Sequence, residues 1–195
     1  MKAALTSSLC CFRIMDFMRK LKMEELGRKS VSQFRQAEKV PITVVLEDVR
    51  SLNNIGSFFR TADAFLLQEI ILCGITATPP HRDIHKTALG ATETVAWRYF
   101  PTAIDAITEL KKSKHTIIVI EQVENSVKLN ENFEIQPPLA LIFGNEVEGV
   151  SQEVINISDM CVEIPQYGSK HSLNVTVCGG IVIWEMWRQL TMNNE

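Results

Sequence analysis

Leu139-Ala140-Leu141-Ile142-Phe143 runs directly into Gly144-Asn145-Glu146-Val147-Glu148-Gly149-Val150. Five consecutive apolar residues describe a strand buried on both faces. An acidic loop between two glycines then closes it. The same signature recurs outward from this point. Ile42–Glu47 and Thr116–Ile120 are apolar, β-branched runs, and Glu69–Cys73 is a third that Gly74 stops. Thr94–Phe100 and Cys161–Ile164 read as two further strands. Helical patterns separate them. Ser57–Leu67 places Phe58, Ala62 and Phe65 at i, i+4 and i+7; Thr102–Lys112 is amphipathic; Val150–Ile157 is short; Val175–Leu190 is strongly apolar. Strands that alternate with helices and read apolar throughout predict an α/β fold, a parallel sheet covered on both faces.

The chain has 195 residues, of which 46% are hydrophobic and 22% charged, a balance that excludes a disordered chain. No apolar run reaches the roughly 18 residues of a spanning helix, so no membrane partner is expected. The net charge of −3 conceals an asymmetry: residues 1–40 carry +5 and residues 41–195 carry −8. The expected organisation is a basic helical extension over 1–40, patterned as helix from Asp16 to Lys39, and an acidic body over 41–195; Gly27 weakens the middle of the extension, which leaves open two short helices with Ser30 or Ser32 capping the second. The extension is either a solvated helix face or an arm that meets phosphate. Cys10, Cys11, Cys73, Cys161 and Cys178 form neither a CxxC pair nor a disulfide framework, which fits a reducing cytoplasm. The opening residues make a poor signal peptide, with no small-residue cleavage site, and Met15, Met18 or Met23 could serve as alternative starts.

Three turns after strands carry candidate chemistry, where a parallel sheet places its ligands. The first is Ser51-Leu52-Asn53-Asn54-Ile55-Gly56-Ser57-Phe58-Phe59-Arg60, with Gly56 free to take φ > 0, Ser57 as a helix cap and Arg60 one turn in. The second is the 144–150 loop. It lacks the lysine of a phosphate-binding P-loop, and its two carboxylates suit a cationic or hydroxyl-bearing ligand. The third is Ile164-Pro165-Gln166-Tyr167-Gly168-Ser169-Lys170-His171-Ser172-Leu173-Asn174-Val175. There Ser172 is the expected cap, Asn174 falls in the first helical turn, and backbone N–H groups face a ligand.

Taken in order, Asn54-x-Gly56-x-x-x-Arg60, Gly144-Asn145-Glu146-x-x-Gly149, and Ile164-Pro165 through Ser172-Leu173-Asn174-Val175 resemble the three motifs of the SpoU (TrmH-like) RNA ribose 2′-O-methyltransferases. The resemblance covers residues 41–190, with Gln166 and Cys178 departing from the family's usual Met and Ala. It implies that 41–195 is a methyltransferase domain with a SPOUT (α/β knot) fold, whose C-terminal part, about 139–190, forms a trefoil knot. It implies a homodimer with active sites near the subunit interface, and S-adenosylmethionine as cofactor. Ile120, Gly144, Ile164, Ser172 and Leu173 would bind that cofactor; Arg60, Asn54, Glu146, Ser172 and Asn174 would be the functional polar residues. No metal is implied. RNA is the implied partner, tRNA in preference to rRNA; a catalytically silent RNA-binding protein on the same fold is the other reading.

Three further features take ordinary readings. His81 and His85 lack the HExxH arrangement of a metal pair, and a substrate-side loop with Arg82, Lys86 and Thr87 near RNA is expected instead. His171 lacks the context of a hydrolase triad. Trp184 and Trp187 are expected as core or dimer contacts.

Overall fold

The computed structural model describes residues 19–192. Cys10, Cys11 and the starts at Met15 and Met18 lie outside these residues. The described chain runs α1 (Val31–Gln36), β1 (Val40–Glu47), α2 (Leu52–Ala64), β2 (Leu67–Cys73), α3 (Arg82–Ala88), α4 (Ala91–Thr94), β3 (Ala96–Phe100) and α5 (Ala103–Lys112). Then follow β4 (Thr116–Ile120), β5 (Val127–Lys128), β6 (Leu139–Phe143), α6 (Gln152–Ile157), β7 (Met160–Glu163) and α7 (Val175–Met192). The seven strands form one sheet in the order β3-β2-β1-β6-β4-β7-β5, and every pairing is parallel.

Side chains alternate across this sheet with the period of two that strand geometry imposes. Val44, Leu46, Ile70, Leu72, Leu141 and Phe143 enter the core beneath α2, α3 and α7. Val45, Ile71, Cys73, Ala140 and Ile142 enter the opposite core beneath α5 and α6. Both faces of the central strands β1, β2, β4 and β6 are dry, as their near-continuous apolar runs predicted, whereas β3, β5 and β7 are half-buried or exposed over most of their length.

Several boundaries depart from the sequence reading. The helical pattern over Asp16–Lys39 divides at Gly27, as expected, but its two parts are shorter than the pattern: where described, they are a 3-10 turn at Met23–Leu26 and the short α1. Gly27 separates them at φ +58, and Ser30 caps α1 by accepting from Gln33 N. Helix α2 begins at Leu52 rather than Ser57, because the Ser51 hydroxyl accepts from Asn54 N and supplies the cap. Ser57 lies inside that helix and donates to Asn53 O at 2.8 Å. Gly56 is helical too, so its role is space and not φ > 0. A Cβ there would lie 2.1 Å from Thr87 Oγ1 and 2.3 Å from Ile84 O of α3. Residues 82–88, expected as loop, are the helix α3, whose cap is unusual: His81 Nδ1 accepts from Asp83 N at 3.1 Å.

Candidate active site

The carboxyl ends of β1, β4, β6 and β7 lie side by side, and their following loops surround a cleft of about 440 Å³. Open parallel sheets bind ligands in this position. Seven of the nine nominated residues line the cleft: Ile120, Gly144, Glu146, Ile164, Ser172, Leu173 and Asn174. Asn54 and Arg60 do not. Asn54 joins the rim through hydrogen bonds. Arg60 is exposed in the third turn of α2, not one turn from its start, and has no hydrogen-bond or ion-pair partner among the described residues.

The 144–150 loop is held from within. Its backbone closes on itself through Asn145 N to Gly149 O (3.2 Å) and Gly149 N to Asn145 O (3.1 Å). The Asn145 side chain accepts from the N–H groups of Val147 and Glu148, each at 2.8 Å. Gly149 sits at φ +71, where a side chain is strained.

Glu146 then crosses to the start of α2. Its carboxylate accepts from Asn54 Nδ2 (2.8 Å), Ser51 N (3.3 Å) and Arg50 N (3.3 Å). Two are backbone N–H groups just before α2 and the third is a side-chain amide in its first turn, so the carboxylate lies at the positive end of the helix. Partial burial alone would raise its pKa. The donors outweigh that, Asn54 first, and hold it below its ordinary value. Asn54 Oδ1 in turn accepts from Asn174 Nδ2 at 3.5 Å. Asn174 is the true cap of α7, accepting from Thr176 N (2.9 Å) and leaving Ser172 outside the helix. Thus Asn54, Glu146 and Asn174, which lie far apart in the sequence, form one chain of polar contacts at the cleft mouth.

The third loop contrasts with the second. Ser172 and Leu173 make no hydrogen bond to another described residue, so their N–H groups and the Ser172 hydroxyl stay open to the cleft. Gln122 Nε2 donates to His171 O at 3.0 Å, which ties this loop to the end of β4.

Two residues that shape the cleft, Glu121 and Glu47, were not singled out in the sequence, and a third, Asn145, stood there only as a member of its motif. Glu121 accepts from Val150 N (3.2 Å) and from Gln122 N (2.8 Å). Glu47, buried at the end of β1, accepts from the backbone and hydroxyl of Ser151, at 3.0 and 2.7 Å. Each is a carboxylate at the carboxyl end of a dry strand, a signal that was readable. Asn145 shapes the loop by an Asx turn. Cys178 also lines the cleft. Burial, with Glu121 adding to it, pushes its thiol up to about 11, so it stays protonated near neutral pH. Among the described residues no cluster of His, Cys, Asp or Glu is placed to hold a metal.

A seven-stranded parallel sheet with this cleft at its carboxyl edge is the architecture of the SPOUT methyltransferases. The A. aeolicus TrmH/SpoU tRNA modifying enzyme superposes at a TM-score of 0.74, with 25% identity over 84% of each chain. The S. meliloti rRNA methyltransferase, solved with AdoMet bound, superposes at 0.71 with 26% identity over 80% of this chain and 59% of that one. Within that class, the SpoU rRNA Methylase family matches residues 41–184, and the chain belongs to it. It is 28% identical over 165 residues to the tRNA (guanosine(18)-2′-O)-methyltransferase of Thermus thermophilus, covering 85% of this chain and 84% of that enzyme. It is 30% identical over 155 residues to the 23S rRNA (guanosine-2′-O-)-methyltransferase RlmB of Neisseria meningitidis, covering 80% and 61%.

Proposed function

We propose that this protein transfers a methyl group from S-adenosylmethionine to a ribose 2′-hydroxyl of RNA, tRNA in the first place. One observation carries the reading. The second and third motif loops line a single cleft and the first motif, at the start of α2, joins its rim, where Asn54, Glu146 and Asn174 are joined by contacts of 2.8 and 3.5 Å. The cofactor fits the donor set. Gly144, Ile120, Ile164 and Leu173 offer close backbone approach and apolar walls, and the open N–H groups of Ser172 and Leu173 offer hydrogen bonds. When bound, S-adenosylmethionine supplies a methyl group already activated by its sulfonium charge.

What remains for the protein is alignment of the hydroxyl and stabilisation of its oxygen as the proton leaves. Arg60 suits the second task. Its guanidinium has no partner within the described chain and holds a fixed charge, which makes it a poor base and a good holder of phosphate and alkoxide. Glu146 holds the helix that carries Arg60, rather than meeting RNA itself. The likeness to the Thermus tRNA enzyme, covered over 84% of its length, supports tRNA as the first substrate.

Two structural parts of the reading extend it. A second copy of the chain is proposed to pack on α7. Val177 (51% exposed), Ile181 (41%) and Trp184 (46%) present an apolar stripe there. Trp184 stacks on Trp187 at 5.4 Å, and both pack on Phe65, so the pair serves as core and contact surface together. A trefoil knot over about 139–190 is favoured by the path of the chain. It leaves β6 beside β1, returns as β7 beyond β4, and comes back as α7 across α2.

Titration calorimetry with S-adenosylmethionine tests the cofactor. Arg60→Ala is expected to bind it as the unaltered protein does and to lose turnover by at least about 100-fold. Lost cofactor affinity with turnover retained would refute the role given to Arg60. Absence of cofactor binding in the unaltered protein would favour the silent RNA-binding reading. Light scattering that found an active monomer would refute the pairing on α7.

A further inference from the structure

A second cavity, of about 540 Å³, lies at the β3 edge of the sheet, walled by α3, α4 and the start of β3. It shares no residue with the methyl-transfer cleft. Its lining is unusual for a structural gap. An indole, Trp97, and two prolines, Pro79 and Pro80, are among the lining residues, and so are Arg82, His85 and Glu93. Trp97 is half-buried, whereas Pro80, Arg82, His85 and Glu93 are exposed.

Charge separates this opening from an ordinary surface. The neighbouring Lys86 is neutralised by Asp83 at 2.6 Å. Arg82 and the His85 ring have no ion-pair or hydrogen-bond partner among the described residues. The N-terminal segment is anchored beside the cavity: Arg35 of α1 donates to the Glu93 carbonyl at 3.1 and 2.6 Å. Helix α3 is also joined to the helix that carries Arg60, through Gly56 and through the bond from Thr87 Oγ1 to Asn53 O at 3.0 Å.

We infer that this cavity is a second RNA contact, which accepts one unstacked base of the substrate beside Trp97 while Arg82 and His85 hold the flanking phosphate. Single-stranded RNA is read by stacking on aromatic faces and by hydrogen bonds to base edges, with cations along the backbone. The cavity supplies each part. The Glu93 carboxylate at its rim is an acceptor for base N–H groups and would repel a phosphate, so the base enters and the phosphate stays at Arg82. The inference deepens the RNA methyltransferase reading and rests on it. It assigns a recognition function to α3 that the cleft residues do not have.

The test measures binding of a fluorescein-labelled 12-nucleotide oligoadenylate to the full chain by anisotropy. Each variant is also titrated with S-adenosylmethionine. Arg82→Ser with His85→Ser should weaken RNA binding by about five- to tenfold. It should also flatten the salt dependence, by about 0.7 in log–log slope for each phosphate that is no longer neutralised. Trp97→Leu should weaken binding by about tenfold, and Trp97→Phe, which keeps a stacking face, by much less. Cofactor binding should be unchanged throughout. Should Trp97→Leu fail to fold, quenching by oligoadenylate of the emission that Trp97→Phe removes decides in its place. Variants that bind RNA as the unaltered protein does, while that protein still methylates RNA, would overturn the cavity assignment alone. An unaltered protein that bound neither cofactor nor RNA would overturn both readings.

Discussion

Two loops border the cleft and are built in opposite ways. The 144–150 loop is tied internally by Asn145, to β4 through Glu121, and to α2 through Glu146. Its two glycines are sterically required. Among the described residues the 165–173 loop has one hydrogen-bonded tie, from Gln122 to His171 O, and Tyr167 is 92% exposed. A Cβ on its Gly168 would meet nothing within 4 Å. One loop is a preorganised frame; the other keeps its donors open for a ligand. The difference locates where binding energy can appear. The frame has little left to gain, whereas the open loop can gain both hydrogen bonds and order.

The sharpest way to break this contrast is Gly144→Ala. Its Cβ would lie 2.1 Å from the Gly149 carbonyl carbon and 2.2 Å from Val150 N, so backbone must move. A loss of about 3 kcal/mol is expected, which is about 6–12 °C in Tm for a chain of this size. A Tm within about 1–2 °C of the unaltered protein would show that the frame is not tight.

Ligand protection is the next effect in size. At about 100-fold excess over Kd, S-adenosylmethionine should add about 2.7 kcal/mol to the stability of what it orders. Amide hydrogen exchange should slow in 165–173 and change little in 144–150. Equal slowing in both loops would remove the distinction between them.

Glu146→Gln should cost about 1 kcal/mol, because the bonds it weakens are partly open to solvent. The effect has a pH signature. The folded-state pKa of Glu146 lies below its ordinary value. Its charged form therefore stabilises the fold above the ordinary carboxylate range, and that contribution is lost as pH falls through the folded value. The Tm gap between the two proteins should be widest near neutral pH and close in acid. A gap that widened in acid would contradict the assignment. Gly168→Ala, the smallest effect, should change stability by less than about 0.5 kcal/mol.

The sheet and the position of the cleft were legible in the sequence because five- to seven-residue dry strands and glycine turns are local signals. The start of α2 was not. Asn53, Asn54 and Gly56 are turn formers, and their helical state depends on Ser51, Glu146 and the close passage of α3, the last two remote in sequence. Helix α3 was hidden by its length of seven residues and by a histidine cap. The nine nominated site residues were found through the family resemblance, and the structure brings seven to one cleft and an eighth, Asn54, to its rim. The outlying position of Arg60 could not be read from the spacing of its motif. That spacing records the helix, whereas position relative to the cleft depends on how α2 packs.

The central claim is tested most directly by mass-spectrometric nucleoside analysis of unmodified tRNA incubated with the protein and S-adenosylmethionine. A single new 2′-O-methylated nucleoside is predicted, absent when Arg60→Ala replaces the unaltered protein. No ribose methylation of tRNA, with methylation of rRNA under the same conditions, would contradict the substrate assignment, and none on either RNA would contradict the activity itself.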